Sequence, residues 1–120
     1  MFELKAPCET CPFLRQSPVR LLPGRALAIA TNMLRPEGGP FFCHKTIAYD
    51  DGTGYGALTP DSQHCVGALL FAIKQGRETV IMRQARRLGW DPGELRGHDQ
   101  VFDSLQELLA ASADRPGELW

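Results

Sequence analysis

The chain has 120 residues, of which 43% are apolar and 22% are charged, and its formal net charge is −1. This length predicts a single domain, 1–113, followed by a flexible tail, 114–120, and the charge excludes a polycation that coats nucleic acid. The longest apolar run, 66–73, is too short to cross a bilayer, and the first residues lack the basic and apolar blocks of a signal peptide. We therefore expect a cytoplasmic protein without membrane contact.

The first 23 residues predict an irregular loop. Four prolines occur there, and a proline can neither continue a helix nor donate to the middle of a sheet. Pro7 and Pro12 bracket Cys8 and Cys11 and restrict the backbone beside both thiols. That rigidity lowers the entropy lost when a metal binds, as expected of half of a binding site.

Two helices are predicted in the middle of the chain. The first covers 24–34 and stops before Pro36, with its apolar face at Leu27, Ala30, Met33 and Leu34. A short extended segment is expected at 41–47. The second helix is expected to start at Thr59 and Pro60, a cap and a proline at the first position, and to end at Gly76. Its apolar stripe is Val66, Leu69, Leu70 and Ile73.

Two further helices complete the prediction. The third covers 78–88 and ends at Gly89, and its inward residues are expected to be Val80, Ile81, Ala85 and Leu88. Trp90 is expected to pack back onto the core. Asp99 is the expected cap of the fourth helix, whose stripe is Val101, Phe102, Leu105, Leu108 and Leu109. The fold class is therefore mostly α, a small single-domain fold of about four helices with cysteine-bearing loops closed around a metal site.

The four cysteines are the strongest functional signal. Cys8 and Cys11 form a Cys-x2-Cys pair, which places two thiolates on one tight turn, and Cys43 and Cys65 follow from separate parts of the chain. Two disulfides are the alternative, but a Cys8–Cys11 bridge closes a loop too small to constrain much, and a reducing compartment disfavours disulfides. We expect all four to bind one metal or cluster.

The spacing favours a [4Fe-4S] cluster over zinc. Structural zinc sites usually have two short knuckles, whereas here Cys43 lies 32 positions after Cys11 and Cys65 a further 22 on. A cluster is larger than one ion and accepts ligands from separate elements, and Cys11-Pro12 resembles the end of ferredoxin ligand runs. Four phenylalanines beside the cysteines would shield a cluster from water: Phe13, Phe41, Phe42 and Phe71. Zinc held by four cysteines, or by three and a histidine, is the alternative.

His44 and His64 each adjoin a cysteine. Three roles stay open for them: a ligand that replaces one thiolate, a hydrogen-bond donor to a ligating sulfur, or a surface imidazole. His98 has no role beyond a turn before the expected helix cap.

The motifs Pro-Cys-x2-Cys-Pro-Phe at 7–13, Phe-Cys-His-Lys at 42–45 and Cys-x-Gly at 65–67 resemble a small four-cysteine domain family of unknown function from bacteria and their phages. Members often have Trp-Arg after the Cys-Pro, where this chain has Phe13-Leu14-Arg15. The resemblance implies a four-cysteine metal site and no activity. Similarity to the WhiB-like iron–sulfur regulators is looser, because their cysteine pair lies between two single cysteines.

We expect a non-catalytic, regulatory or accessory protein that acts by binding a protein partner. Arg83, Arg86 and Arg87 share a helix face within a basic stretch, 74–96, and are candidate contacts to nucleic-acid phosphates, although a solvated face is the favoured interpretation. A thiol or electron-transfer redox protein is the remaining alternative. The arrangement typical of thioredoxin, a Cys-x2-Cys after a buried strand, is absent, as are zincin and Ser-His-Asp motifs.

Overall fold

The computed structural model describes residues 2–17, 19–21, 23–35, 41–43, 48–49, 56–57, 63–114 and 118–119. Its helices are α1 (Pro23–Leu34), α2 (Val66–Lys74), α3 (Val80–Arg87) and α4 (Leu105–Asp114). Its strands are β1 (Val19–Arg20), β2 (Ala48–Tyr49), β3 (Gly56–Ala57) and β4 (Glu118–Leu119). About 51% of the described residues are helical, so the prediction of a small, mostly α fold is confirmed.

The core is built around α2. Seven consecutive residues of this helix, Val66–Ala72, are buried, because its sequence is apolar on all sides. The N-terminal loop contributes Phe13 to the same cluster, α1 contributes Met33 and α3 contributes Met82. The N-terminal loop, which carries two of the cysteines, therefore packs directly on α2.

The bounds of α1 agree with the prediction, but its inner face is shifted. Ala30 and Met33 are buried as expected, whereas Leu27 is 48% exposed and Ala26 is buried in its place. The helix packs against α4, and the smaller Ala26 side chain lies on the inner side.

The expected start of α2 is wrong. Residues 63–65 are not helical, and Cys65 is the N-cap of a helix that begins at Val66. An antiparallel bridge pairs His64 with Phe42, so long-range hydrogen bonds hold this segment extended. Thr59 and Pro60 lie outside the described residues. The predicted end is confirmed, because Gly76 follows the helix with a φ of 70°.

The third helix is confirmed, but its inward face is partly wrong. Ala85 is buried and Ile81 half-buried, whereas Val80 is exposed and Leu88 is 89% exposed. Met82 takes the buried position instead, since the core side of this short helix lies between Met82 and Ala85. Gly89 ends it as predicted, with a φ of 103°.

Asp99 does not cap the last helix. The helix starts at Leu105, where the Ser104 hydroxyl accepts a hydrogen bond from the Glu107 backbone N–H (3.2 Å). Val101 and Phe102 are buried as expected but lie before the helix. Val101 forms a β-bridge with Leu14, which joins this segment to the N-terminal loop.

Two short strand pairs and two single-turn 3-10 helices, Pro92–Glu94 and His98–Gln100, complete the described structure. Strand β1 pairs in parallel with β4, and β2 pairs in antiparallel fashion with β3.

Trp90 packs against the core cluster, as predicted. The division into a domain, 1–113, and a flexible tail, 114–120, stays a prediction. In the part of the chain described, no helix is both long and apolar enough to cross a membrane.

Candidate metal centre

The first half of the candidate site is the turn that carries the Cys-x2-Cys pair. The backbone N–H of Cys11 donates to the carbonyl of Cys8 (3.1 Å), and the N–H of Leu14 donates to the carbonyl of Cys11 (3.1 Å). These hydrogen bonds fold the segment into consecutive tight turns, in keeping with the prolines around it. Cys11 is 1% exposed and Cys8 is half-buried, so the turn directs one thiol inward and keeps the other nearer the surface.

Cys65 provides the second half from the start of α2. It occupies the N-cap with an extended backbone (φ −66°, ψ 118°), and its carbonyl accepts the N–H of Leu69 (3.0 Å). The helix behind it is buried, so the thiol sits on the core side and is only 5% exposed. The backbone at Ala68, in the first turn of the helix, lowers the pKa of this thiol, but the hydrogen bond with Cys11 and burial raise it by more.

The sulfur atoms of Cys11 and Cys65 are in contact at 3.5 Å, although 54 positions separate these residues in the chain. The hydrogen bond from Cys65 holds the pKa of the Cys11 thiol below its ordinary value of 9.0, assisted by the backbone at Phe13 and Gly67. The same hydrogen bond, together with burial, raises the pKa of Cys65 well above 9.0. The contact therefore favours the thiolate form at Cys11 and the neutral thiol at Cys65.

Gly67 makes this contact sterically feasible. A Cβ atom at position 67 would lie 2.3 Å from the Cys11 sulfur and 3.2 Å from the Cβ of Phe13. The N-terminal loop can approach α2 this closely only because Gly67 has no side chain. The glycine of the Cys-x-Gly motif thus has a steric role.

Cys43 joins the site through the bridge between Phe42 and His64. The N–H of Cys43 donates to the carbonyl of Gln63, and the N–H of Cys65 donates to the carbonyl of Phe41, both at 2.7 Å. Successive side chains of extended segments point to opposite faces. Cys43 and Cys65 each follow one residue of the bridged pair, so their side chains lie on the same face of the bridge. The charge of Cys43 contributes to the raised pKa of Cys65, as expected of neighbouring thiols.

His64 leaves the bridge on the opposite face from Cys65. It is 5% exposed, so the surface imidazole is excluded from the three roles left open for this residue. Its ring centroid lies 5.3 Å from that of Phe2 and 6.2 Å from that of Phe42, and burial lowers its pKa to about 4. A neutral imidazole packed among aromatic rings on this side does not face the cysteine pair. His44 lies outside the described residues.

The four cysteines do not form a complete ligand set in this structure. All four are described, and none is in a disulfide. Over the described residues, no three Cys, His, Asp or Glu side chains are placed so that they could hold one metal ion. The Cys8 sulfur lies 3.8 Å from the Thr10 hydroxyl instead. The structure thus brings Cys11 and Cys65 together and places Cys8 and Cys43 on the two adjoining backbone segments.

Aromatic side chains lie on the core side of the cysteine pair. The ring of Phe13, which is fully buried, meets the ring of Phe41 edge-on at 5.5 Å and that of Phe71 at 5.5 Å. Phe42 belongs to the opposite face, with His64. Three of the four phenylalanines expected near the site therefore form a connected apolar wall.

The candidate nucleic-acid contacts lie on the exposed face of α3. Arg83, Arg86 and Arg87 are all exposed, and Arg86 pairs with Glu78 at 2.6 Å. Within the part of the chain that the structure describes, no acidic residue pairs with Arg83 or Arg87. Two guanidinium groups on this face are therefore available to a partner.

Sequence reasoning missed two features. It assigned no steric role to Gly67, although the place of this glycine two residues after a cysteine was an available signal. Met82, Trp90 and His98, assigned no function from the sequence, line a surface groove with Arg77 and Arg86.

Compared with known proteins, the chain matches no family model, no curated protein and no solved structure. The resemblance to a four-cysteine family stays a prediction.

Proposed function

We propose that this protein is a small metal-binding module whose centre is held by Cys8, Cys11, Cys43 and Cys65 at the N-terminal end of α2. The contact between the Cys11 and Cys65 sulfurs carries the proposal, because it joins two distant parts of the chain inside the core. Binding would require the Cys8 and Cys43 side chains to turn toward this pair. Both residues belong to segments that are hydrogen-bonded beside it.

The sulfur–sulfur distance is compatible with one tetrahedral ion, for which zinc is the first candidate. Two thiolates on the same zinc, each about 2.3 Å from the metal, stand about 3.8 Å apart in tetrahedral geometry. The observed 3.5 Å is close to that value. In a [4Fe-4S] cluster each cysteine binds a different iron, which keeps the sulfurs beyond contact distance.

A [4Fe-4S] cluster is the second candidate for the cofactor. The connected wall of Phe13, Phe41 and Phe71 supports it, because an apolar shell protects a cluster from water and shifts its potential. Cluster binding would require Cys11 and Cys65 to separate, whereas zinc binding would not.

A dithiol redox function has two observations in its favour. The Cys11 and Cys65 sulfurs are in contact, and the pKa of Cys11 is lowered, as in a pair poised to form a disulfide. The same two residues are only 1% and 5% exposed, so a protein or glutathione disulfide cannot reach them. Burial therefore ranks this function below metal binding.

The role of the module is regulatory or accessory, exercised in the cytoplasm through a protein partner. A metal centre that joins the N-terminal loop to α2 makes the fold depend on metal, and loss of the metal would alter any surface built on that fold. Nucleic acid is a further candidate partner, through Arg83 and Arg87 with Arg86 beside them. Arg83 and Arg87 support a nucleic-acid partner, because neither pairs with an acidic residue in the described part of the chain.

The test is metal analysis of the full chain purified without oxygen, with a visible spectrum of the protein after cobalt replacement. We expect one zinc per chain, retained in His64→Gln and lost when any one of the four cysteines is changed to Ser. His64→Gln is the matched control, because it alters a neighbouring side chain that faces away from the cysteine pair. Four irons and four sulfides per chain would assign the cluster instead. A chain that holds neither metal nor cluster with all four thiols reduced would refute the proposal.

A further inference from the structure

A groove lies near the end of α2 that is farthest from the cysteines. It has a volume of about 430 Å³ and is enclosed by the C-terminal end of α2, by α3 and by residues 90–98. Ile73, which lines it, is eight residues after Cys65, or about 12 Å along the helix axis. The groove is therefore separate from the candidate metal centre, and its volume is within the usual range of small-molecule sites.

The floor of the groove is apolar and held in place. Met82 is buried, and Ile73 and Trp90 pack against the core. The backbone N–H of Trp90 donates to the carbonyl of Ala85 (2.9 Å), and its indole lies against the ring of Phe2, with centroids 5.0 Å apart. A flat apolar group placed here would meet a fixed aromatic surface rather than a mobile one.

The indole N–H of Trp90 is buried and has no hydrogen-bond partner among the described residues. Buried polar groups of this kind are uncommon, because a buried donor without a partner destabilises the fold. Because this nitrogen is buried, a ligand in the groove would reach it only if the indole turned.

The rim of the groove is basic. Arg77 is exposed, and no acidic residue in the described part of the chain pairs with it. Arg86 pairs with Glu78 at 2.6 Å, and Glu78 is the one carboxylate among the described lining residues. Guanidinium groups bind phosphate and carboxylate through parallel hydrogen bonds, so this rim suits an anion.

We propose that this groove binds a small ligand with a flat apolar body and one anionic group, such as a nucleoside monophosphate. The flat body lies on Trp90 and Met82. Arg77 holds the anionic group, and Arg86 joins it when its pairing with Glu78 is broken. The ligand would thus bind at a site separate from the candidate metal centre.

The experiment uses Trp90 as its own reporter. The chain has two tryptophans, so Trp120→Phe leaves Trp90 as the single indole. The protein, as purified with its metal, is titrated at low salt with AMP, with benzoate and with uncharged adenosine. We expect saturable quenching by at least one of the anions, with a Kd on the order of 1 mM or tighter, and binding of adenosine about 10-fold weaker than that of AMP. Binding of AMP alone assigns the anion as phosphate, and binding of benzoate alone assigns it as carboxylate.

Three charge variants in the Trp120→Phe background test the rim. Arg77→Gln should weaken anion binding about 3- to 10-fold, and Glu78→Gln, which releases Arg86, should strengthen it by a similar factor. Arg25→Gln removes an exposed guanidinium from α1, does not touch the groove, and should change nothing. The proposal would be overturned if neither anion gave saturable quenching. So would an equal loss of affinity in Arg25→Gln and Arg77→Gln.

Discussion

Gly67→Ala should greatly weaken metal binding while leaving the four cysteines in place. The added Cβ would lie 2.3 Å from the Cys11 sulfur, so the sulfur must retreat by about 1.2 Å to reach an ordinary contact near 3.5 Å. A metal site tolerates errors of about 0.2 Å in its ligand distances. The Cys11 sulfur would therefore leave coordinating range unless the whole N-terminal loop moved with it.

The expected effect is a loss of metal affinity of at least about 100-fold, the upper end of what a change next to a metal ligand usually costs. The assay is competition between the protein and a chromophoric chelator of known affinity, followed by the visible spectrum of the cobalt form. Gly24→Ala is the matched control, because no atom lies within 4 Å of the position that its Cβ would take. Gly24 is exposed in α1, so this control should keep full affinity and gain up to about 1 kcal/mol of stability.

An unchanged affinity in Gly67→Ala would refute the reasoning, since it would mean that Cys11 is not a ligand or that the loop does not approach α2 as described. A thiol titration under denaturing conditions ensures that all four cysteines are reduced in both variants. If Gly24→Ala lost metal to the same degree, the effect would belong to glycine replacement in general rather than to the Cys11 contact.

Three further predictions concern the framework, each measured by urea unfolding. Thr79→Ala removes the hydroxyl that accepts the Met82 N–H (3.3 Å) at the start of α3 and should cost about 1 kcal/mol, whereas Thr79→Ser should cost little. Lys74 holds the pKa of Asp103 below its ordinary value of 3.8, so the carboxylate stabilises the fold above that pH and the contribution is lost as the pH falls through the lowered pKa. Asp103→Asn should therefore lower the urea midpoint at neutral pH, and the difference from the natural chain should shrink in acid. Phe71→Ala empties a fully buried position in α2 and should cost about 3–5 kcal/mol, with a smaller loss in Phe71→Leu.

The helices were predictable where their limits depend on local chemistry. Gly76 and Gly89 end α2 and α3 because both have a positive φ that other residues rarely adopt. The start of α2 was not predictable in this way. Its position depends on hydrogen bonds between 63–65 and 41–43, a pairing across about 20 residues that no local pattern records.

The candidate site was predictable as a set of residue types but not as a geometry. The sequence indicated four cysteines acting together, and the structure brings Cys11 into contact with Cys65. Adjacency along the chain was misleading for His64, because neighbouring residues in an extended segment face opposite sides. The role of Gly67 depends on which residue of the N-terminal loop approaches α2, and that follows only from the packing.

A buried centre of four thiolates and one divalent ion would carry two negative charges in excess, which the core must compensate. The backbone at Phe13 and Gly67 interacts with the Cys11 sulfur, and the backbone at Ala68 interacts with the Cys65 sulfur; each of these lowers the pKa of its thiol. Two of the three groups belong to the first turn of α2, where the N–H groups have no partner within the helix. The same turn begins the buried run that forms the middle of the core. Charge compensation at the cysteines and packing of the core therefore depend on one helical turn, so disorder in that turn would expose the thiolates and the apolar run together.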